Sequence, residues 1–103
     1  MNLYHGSTEI VEKPLASYGR NNLDFGKGFY TTSMKNQAEK WVQRFILLGK
    51  KGYVNIYDYN DTEAALARLK YEKPNNQICF TKQKVLDAVL HFKSVYEVKG
   101  DNP

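Results

Sequence analysis

The chain has 103 residues, which predicts a single domain spanning residues 1–103. Its composition is that of an ordinary globular protein, with 42% hydrophobic and 25% charged residues. One cysteine excludes an internal disulfide framework, and two histidines without a spaced acidic pair predict no dedicated metal site. The formal net charge of +4 permits a nucleic-acid or phosphorylated partner but does not require one.

The N-terminal segment has no basic region followed by an apolar stretch, so no signal peptide is expected. No apolar stretch approaches the length of a membrane span. We therefore expect a soluble, cytoplasmic protein of a reducing compartment, without a membrane partner.

The first half of the chain predicts two strands and one helix. Residues 1–5 form a short apolar strand that ends in a turn at the following glycine, and residues 28–32 form a second strand. Residues 8–24 between them have no clean period, and long loops in compact domains are often functional. Apolar residues at helical spacing then predict a helix, with Ser33 as its N-cap and Gly49 at its C-terminal end.

The second half continues with strands predicted at residues 53–57, 77–80 and 92–98. One helix is predicted with Asp61 or Thr62 as its N-cap, and another with Thr81 as its N-cap. The order β, β, α, β, α, β, α, β gives about five strands and three helices and is an α+β pattern.

Three polar side chains, each beside glycine or on an alternating strand, are candidate site residues. His5 precedes Gly6, where a ligand can approach the backbone closely; the alternative is a surface histidine before a turn. Tyr30 follows Gly28 and suits stacking on a planar ring, or else packs across strands. Gln77 opens a strand and can hydrogen-bond a sugar hydroxyl, unless it is a half-exposed strand residue.

The segments that carry these residues resemble the His-Tyr-Glu signature of the ADP-ribosyltransferase superfamily, with glutamine in the third position. They are most similar to a bacterial, toxin-like branch first catalogued as a domain of unknown function (DUF3990-like) and often found near toxin–antitoxin genes. The resemblance covers about residues 2–48 and 63–98. Its motifs are residues 3–7, 17–26, 26–32 and 69–80.

The resemblance implies a split β-sheet with flanking helices that encloses NAD as a co-substrate. His5, Tyr30 and Gln77 would be catalytic. His5 would hydrogen-bond the adenine-proximal or the nicotinamide ribose, Tyr30 would stack on the nicotinamide ring, and Gln77 would hold the ribose 2′-hydroxyl. The Gly6 backbone would pair with the nicotinamide carboxamide. The implied NAD-binding residues are His5, Gly6, Ser7, Arg20, Asn22, Gly28, Phe29 and Tyr30.

Two of these residues keep alternative interpretations. Arg20 is a candidate for the pyrophosphate, because a guanidinium matches phosphate geometry, or it is a solvated loop arginine. Asn22 either braces the loop or touches ribose.

The implied activity is mono-ADP-ribosyl transfer to a macromolecular acceptor, protein or nucleic acid, by a toxin that has an antitoxin partner. The nicotinamide N-glycosidic bond would break through an oxocarbenium-like state. The chain departs from the superfamily pattern in that Gln77 can orient a hydroxyl but cannot take its proton. Tyr30 and Gln77 are 77 − 30 = 47 positions apart, which indicates a member shortened in the middle.

Two other functions stay open. The chain could be a catalytically weak or inactive module of the same fold that binds NAD, ADP-ribose or a partner. It could also be an RNA-directed relative, such as a 2′-phosphotransferase. Those enzymes use a second histidine and an arginine where Tyr30 and Gln77 stand, so this function ranks third.

Overall fold

The computed structural model describes residues 1–16, 28–60, 70–72 and 77–100. These residues contain six strands and two helices, which confirms the predicted α+β class. The strands are β1 (Asn2–Ser7), β2 (Phe29–Thr32), β3 (Gly52–Tyr59), β4 (Lys70–Glu72), β5 (Gln77–Phe80) and β6 (Leu90–Val98). The helices are α1 (Lys35–Leu47) and α2 (Gln83–Val89). Neither helix is long and apolar enough to span a membrane.

The predicted number of strands, five, needs correction. The additional strand is the short β4, and β1 continues through Gly6 to Ser7 instead of turning at the glycine. The helix predicted after Asp61 or Thr62 lies outside the described residues.

The six strands form one sheet in the order β4-β5-β2-β1-β3-β6, and every neighbouring pair is antiparallel. The strands β5, β2 and β1, which carry the three candidate residues, are therefore adjacent. β1 pairs with β3, and β2 with β5, along their whole lengths. Between β1 and β2, the register pair within the described residues is Tyr4 opposite Thr32. The sheet therefore opens past this pair, between residues 5–7 of β1 and residues 29–31 of β2.

The larger core lies on the face of the sheet covered by α2 and by the segment of residues 8–16. The ring of Tyr57 meets the rings of Phe29 and Phe92 edge to face, with centroid distances of 5.6 Å to Phe29 and 5.9 Å to Phe92. Tyr59 and Phe80 form a similar pair at 5.7 Å. Such pairs contribute about 0.5–1.5 kcal/mol each beyond their buried area. These aromatic residues therefore join strands from both sides of the opening.

The other face is covered by α1, which approaches the sheet closely where β1 and β3 carry glycine. A Cβ added to Gly6 would lie 2.8 Å from Cγ1 of Val42, and a Cβ added to Gly52 would lie 2.9 Å from the Cβ of Val42. Ala38 and Val42 are fully buried in this contact. Trp41, on the same helix, is half-buried.

The C-terminal end of α1 is closed as the sequence predicts. Gly49 has φ of +80°, and its N–H donates to the Ile46 carbonyl at 3.0 Å. The N–H of Lys50 reaches the Phe45 carbonyl at 2.9 Å. These two bonds are the Schellman motif, and they satisfy carbonyls that the helix end leaves free.

The predicted N-caps of both helices are wrong. The N-cap of α1 is Met34, not Ser33, and no side chain caps it. Thr32 lies close to this helix start, because its Oγ1 accepts the Met34 N–H at 3.1 Å. The N-cap of α2 is Lys82, also without a side-chain bond, and not Thr81.

Candidate functional site

The imidazole of His5 is fixed by two contacts across the opening of the sheet. Its Nδ1 lies 2.7 Å from the carbonyl oxygen of Tyr30. Because a carbonyl only accepts, Nδ1 carries the hydrogen and donates it. The ring also stacks on Phe29, with centroids 4.1 Å apart and planes at 26°. Nε2 is therefore an unprotonated acceptor, and it has no hydrogen-bond partner in the described part of the chain.

Burial holds His5 in its neutral form. The residue is 9% exposed, and removal from water lowers its pKa to about 4, although the bond to the Tyr30 carbonyl opposes the shift. At neutral pH, Nε2 offers a lone pair. Leaving such an acceptor buried and unpaired costs about 1–3 kcal/mol, which a hydroxyl from a ligand would recover.

Tyr30 and Gln77 share one face of the sheet. Tyr30 lies opposite Cys79, and Thr32 lies opposite Gln77, across the β2–β5 ladder. Side chains directly opposite each other in an antiparallel pair point to the same face. Burial raises the pKa of the Cys79 thiol, and the interaction with the Tyr30 side chain opposes the shift. Cys79 is fully buried and lies directly opposite Tyr30.

His5 points to the opposite face from Tyr30 and Gln77. Tyr4 pairs with Thr32 and so shares their face, and the next side chain along β1 alternates to the other. The stacking of His5 on Phe29, the neighbour of Tyr30 along β2, agrees with this. The structure therefore brings His5 to the main chain of Tyr30 and not to its ring.

The small residues of the predicted NAD site have packing roles. Gly6 lies under α1, as described above. A Cβ on Gly28 would lie 2.5 Å from Sγ of Cys79, so glycine is needed there for β5 to approach. Ser7 is buried, and its Oγ accepts the N–H of Glu9 at 3.1 Å.

The described side chains next to Gln77 are neutral. Cys79 lies on the same strand face, Thr32 stands opposite, and Thr32 Oγ1 donates to Oε1 of Gln37 at 2.5 Å. Gln77 is half-buried. The described side chains around Gln77 can therefore orient a hydroxyl, and none of them is a base. Within the described ranges, no group of three or more His, Cys, Asp and Glu residues is arranged to hold a metal ion.

The residues that hold the segment after β1 were missed by the sequence prediction. Asn55 is fully buried on β3, and its Oδ1 accepts the Val11 N–H at 2.8 Å. Its Nδ2 donates to the carbonyls of Glu9 at 3.1 Å and His5 at 3.4 Å. The Tyr57 hydroxyl donates to the Val11 carbonyl at 2.6 Å. The feature of the sequence that could have indicated this role is an asparagine within an apolar and aromatic strand.

Gln83 holds the far end of the same segment. Its Oε1 accepts the Ala16 N–H at 2.7 Å, and its Nε2 donates to the Pro14 carbonyl at 3.1 Å. The segment is thus anchored at both ends before the chain continues to Arg20 and Asn22. Those two predicted NAD-binding residues lie outside the described residues.

A family model described as "Protein of unknown function (DUF3990)" matches residues 1–66. The match spans β1, β2, α1 and β3 and includes His5 and Tyr30, but it ends before Gln77. No curated protein and no solved structure matches the chain.

Proposed function

This chain belongs to the DUF3990 family, and we propose that it is an NAD-dependent mono-ADP-ribosyltransferase whose site is the opening between β1 and β2. The observation that carries the proposal is the bond from His5 Nδ1 to the Tyr30 carbonyl, which leaves Nε2 as an unpaired acceptor. A ribose hydroxyl is the type of donor that such an atom binds. The adjacency of β1, β2 and β5 supports the proposal further, since these strands carry the three signature residues.

In this proposal, the residues would contact one ligand from the two faces of the sheet. Tyr30 and Gln77 would contact the nicotinamide ring and its ribose on their face of the sheet. His5 would accept a hydroxyl on the other face, so the adenine-proximal ribose is the better of its two proposed partners. Nε2 is covered in the structure, so NAD binding must first displace the group that covers it.

The proposed reaction does not require a strong general base. The bond between the ribose C1′ and the nicotinamide nitrogen breaks, and nicotinamide leaves with the bonding electron pair. An oxygen or nitrogen of the acceptor bonds to C1′ and releases its proton to solvent. Tyr30 would orient the leaving ring, and Gln77 would fix the 2′-hydroxyl, so that the site favours the cationic sugar over bound NAD.

A second candidate is an inactive NAD or ADP-ribose binding module. The covered Nε2 of His5 and the neutral surroundings of Gln77 favour it, because binding requires hydrogen bonds but no turnover. The two functions predict the same ligand and differ only in nicotinamide release.

The deciding experiment is transfer of label from NAD into a cell lysate by the purified chain, with nicotinamide release measured in parallel. Separate protease and nuclease digests of the product identify the acceptor class. Tyr30→Phe keeps the ring and should retain most transfer, whereas Tyr30→Ala should abolish it. Gln77→Glu should raise transfer to hydroxyl acceptors, because a charged acceptor makes a hydrogen bond about twice as strong.

His5 offers a matched pair of variants. His5→Asn keeps a donor for the Tyr30 carbonyl and loses the Nε2 acceptor, whereas His5→Gln places an oxygen near the Nε2 position and loses that donor. NAD binding, measured by calorimetry, should survive better in His5→Gln. Binding without nicotinamide release would favour the module. A folded chain that neither binds nor turns over NAD contradicts both candidates.

A further inference from the structure

The C-terminal end of α1 carries an apolar, positively charged projection that the proposed site does not use. Leu47 is 84% exposed and Leu48 is 71% exposed, more than any other large hydrophobic residue of the described chain. Lys50, Lys51 and Arg44 are exposed beside them. We call these five residues the leucine tip.

The leucine tip is ordered by main-chain bonds. The N–H of Leu48 donates to the Arg44 carbonyl at 3.3 Å, and the Schellman bonds of the next two residues close the turn. The leucines are therefore held in water by a formed helix end and do not result from fraying. Two adjacent leucines held at such exposure indicate a contact surface.

The charge around the tip has one sign. Four cations lie within residues 40–51, and no acidic residue occurs between residues 40 and 57. The four positive charges of this segment equal the formal net charge of the whole chain, +4. Glu97 faces the beginning of β3 nearby, but it is paired with Lys99 at 3.4 Å. Among the described residues no ion pair involves Arg44, Lys50 or Lys51, so the tip presents apolar groups ringed by positive charge.

We propose that the leucine tip docks the protein onto a membrane surface rich in anionic lipid. The leucines enter the boundary between headgroups and acyl chains, and Arg44, Lys50 and Lys51 contact the headgroups. A bilayer accepts a convex helix end directly, whereas a protein partner would have to supply a groove. The expectation that no membrane is involved rested on the lack of a spanning segment, which does not bear on surface docking.

Docking at this end of α1 does not use the proposed site. The tip lies within residues 44–51, whereas the opening lies between residues 5–7 of β1 and residues 29–31 of β2, beside Ala38 and Val42 in the middle of the helix, and the two share no residue. The two surfaces are thus separate, and a test of docking is independent of the proposed transferase activity.

The test is flotation of the full chain with vesicles of phosphatidylcholine alone or of an equimolar mixture with phosphatidylserine. We expect partitioning into the anionic vesicles of about 10⁴ M⁻¹, comparable to one myristoyl chain, and decreasing with salt. Leu47→Ser with Leu48→Ser should weaken it at least tenfold. Lys50→Ala with Lys51→Ala should weaken it roughly 30-fold at low salt. Met34→Ser, at an exposed apolar residue at the opposite end of α1 from the tip, should leave it unchanged.

Unchanged melting curves for all variants establish that they fold. Failure of the folded chain to bind anionic vesicles, or equal binding to both kinds of vesicle, overturns the proposal. Binding that survives both double substitutions also overturns it. If the chain does not bind anionic vesicles and a soluble protein captures it through the tip instead, the membrane proposal is overturned and the tip is assigned to that protein partner.

Discussion

At the scale of single residues, the tautomer of His5 follows from one bond. The Tyr30 carbonyl can only accept, so the hydrogen is on Nδ1 and the lone pair is on Nε2. Stacking on Phe29 and burial then keep the ring neutral. A histidine held in this way is a hydrogen-bond acceptor for a ligand and is poorly suited to be a general acid at neutral pH.

The His5 imidazole should titrate with a pKa near 4. Because the folded pKa lies below the unfolded value of 6.5, the unfolded chain binds more protons between these two values. The contribution of His5 to stability is therefore complete above pH 6.5 and is lost as the pH falls towards 4, by roughly 3 kcal/mol. NMR titration in a His91→Gln background, where one imidazole remains, measures the pKa.

The stability effect is isolated by comparing the wild-type chain with His5→Asn in urea across the same pH range. The difference in unfolding free energy between the two proteins should shrink as the solution becomes acidic. An imidazole that titrates near 6.5 in the folded protein would contradict the burial of Nε2.

At the scale of elements, Asn55 joins β3 to the segment after β1. Asn55→Ala should lower the free energy of unfolding by about 3 kcal/mol, because it removes three side-chain bonds and leaves buried backbone groups unpaired. Hydrogen exchange at the Val11 amide should accelerate most, since that amide loses its acceptor. The exposed Asn36→Ala on α1 is the control and should change stability little. Equal losses of unfolding free energy in the two variants would contradict the proposed anchoring role of Asn55.

Gly6 controls how closely α1 approaches the sheet. Gly6→Ala should destabilise the protein by about 1–3 kcal/mol, since the new Cβ would lie 2.8 Å from Val42 Cγ1 and 2.9 Å from the Ala38 carbonyl. Val42→Ala should recover part of this loss, and only part, because the carbonyl remains. Urea unfolding of the single and double variants measures the coupling.

Gly49→Ala is the matched control for that pair. Its φ of +80° strains an alanine, but nothing lies within 4 Å of the added Cβ. It should therefore lose about 1 kcal/mol with no coupling to Val42. Coupling as large as that of Gly6 would mean that the Gly6 effect is not steric.

At the scale of the whole molecule, the sequence predicts what depends on local periodicity and misses what depends on tertiary contact. The apolar spacing of α1 and Gly49 at its end are local signals, and both predictions are confirmed. Gly6 was predicted to be a turn because glycine often is, whereas it continues β1 under α1. Ser33 was predicted as the cap, but Thr32 accepts the Met34 N–H at the helix start.

The same division applies to the site. His5 and Tyr30 could be selected from their glycine neighbours and from the resemblance. The faces could not be predicted, because they depend on the register between β1 and β2, which the pair Tyr4–Thr32 sets. The anchoring role of Asn55 depends on backbone groups far along the chain, and no local pattern contains that information.

Residues 1–66, the part that matches the family model, should not fold alone. Removing the remainder takes β5 from β2 and β6 from β3, so both outer edges of the remaining sheet lose their partners. It also removes half of the larger core, which leaves Leu3, Phe29 and Tyr57 facing water. The lost core residues are Ile78, Phe80, Val85, Leu86, Val89 and Leu90.

We therefore expect the fragment of residues 1–66 to give an undispersed amide spectrum and no cooperative urea transition. Addition of a second fragment, residues 67–103, should restore both, because the missing strands can pair without a chain connection. The full chain under the same conditions is the reference. A dispersed spectrum from residues 1–66 alone would mean that β1, β2, β3 and α1 form a stable unit, and that the larger core contributes less than its burial indicates.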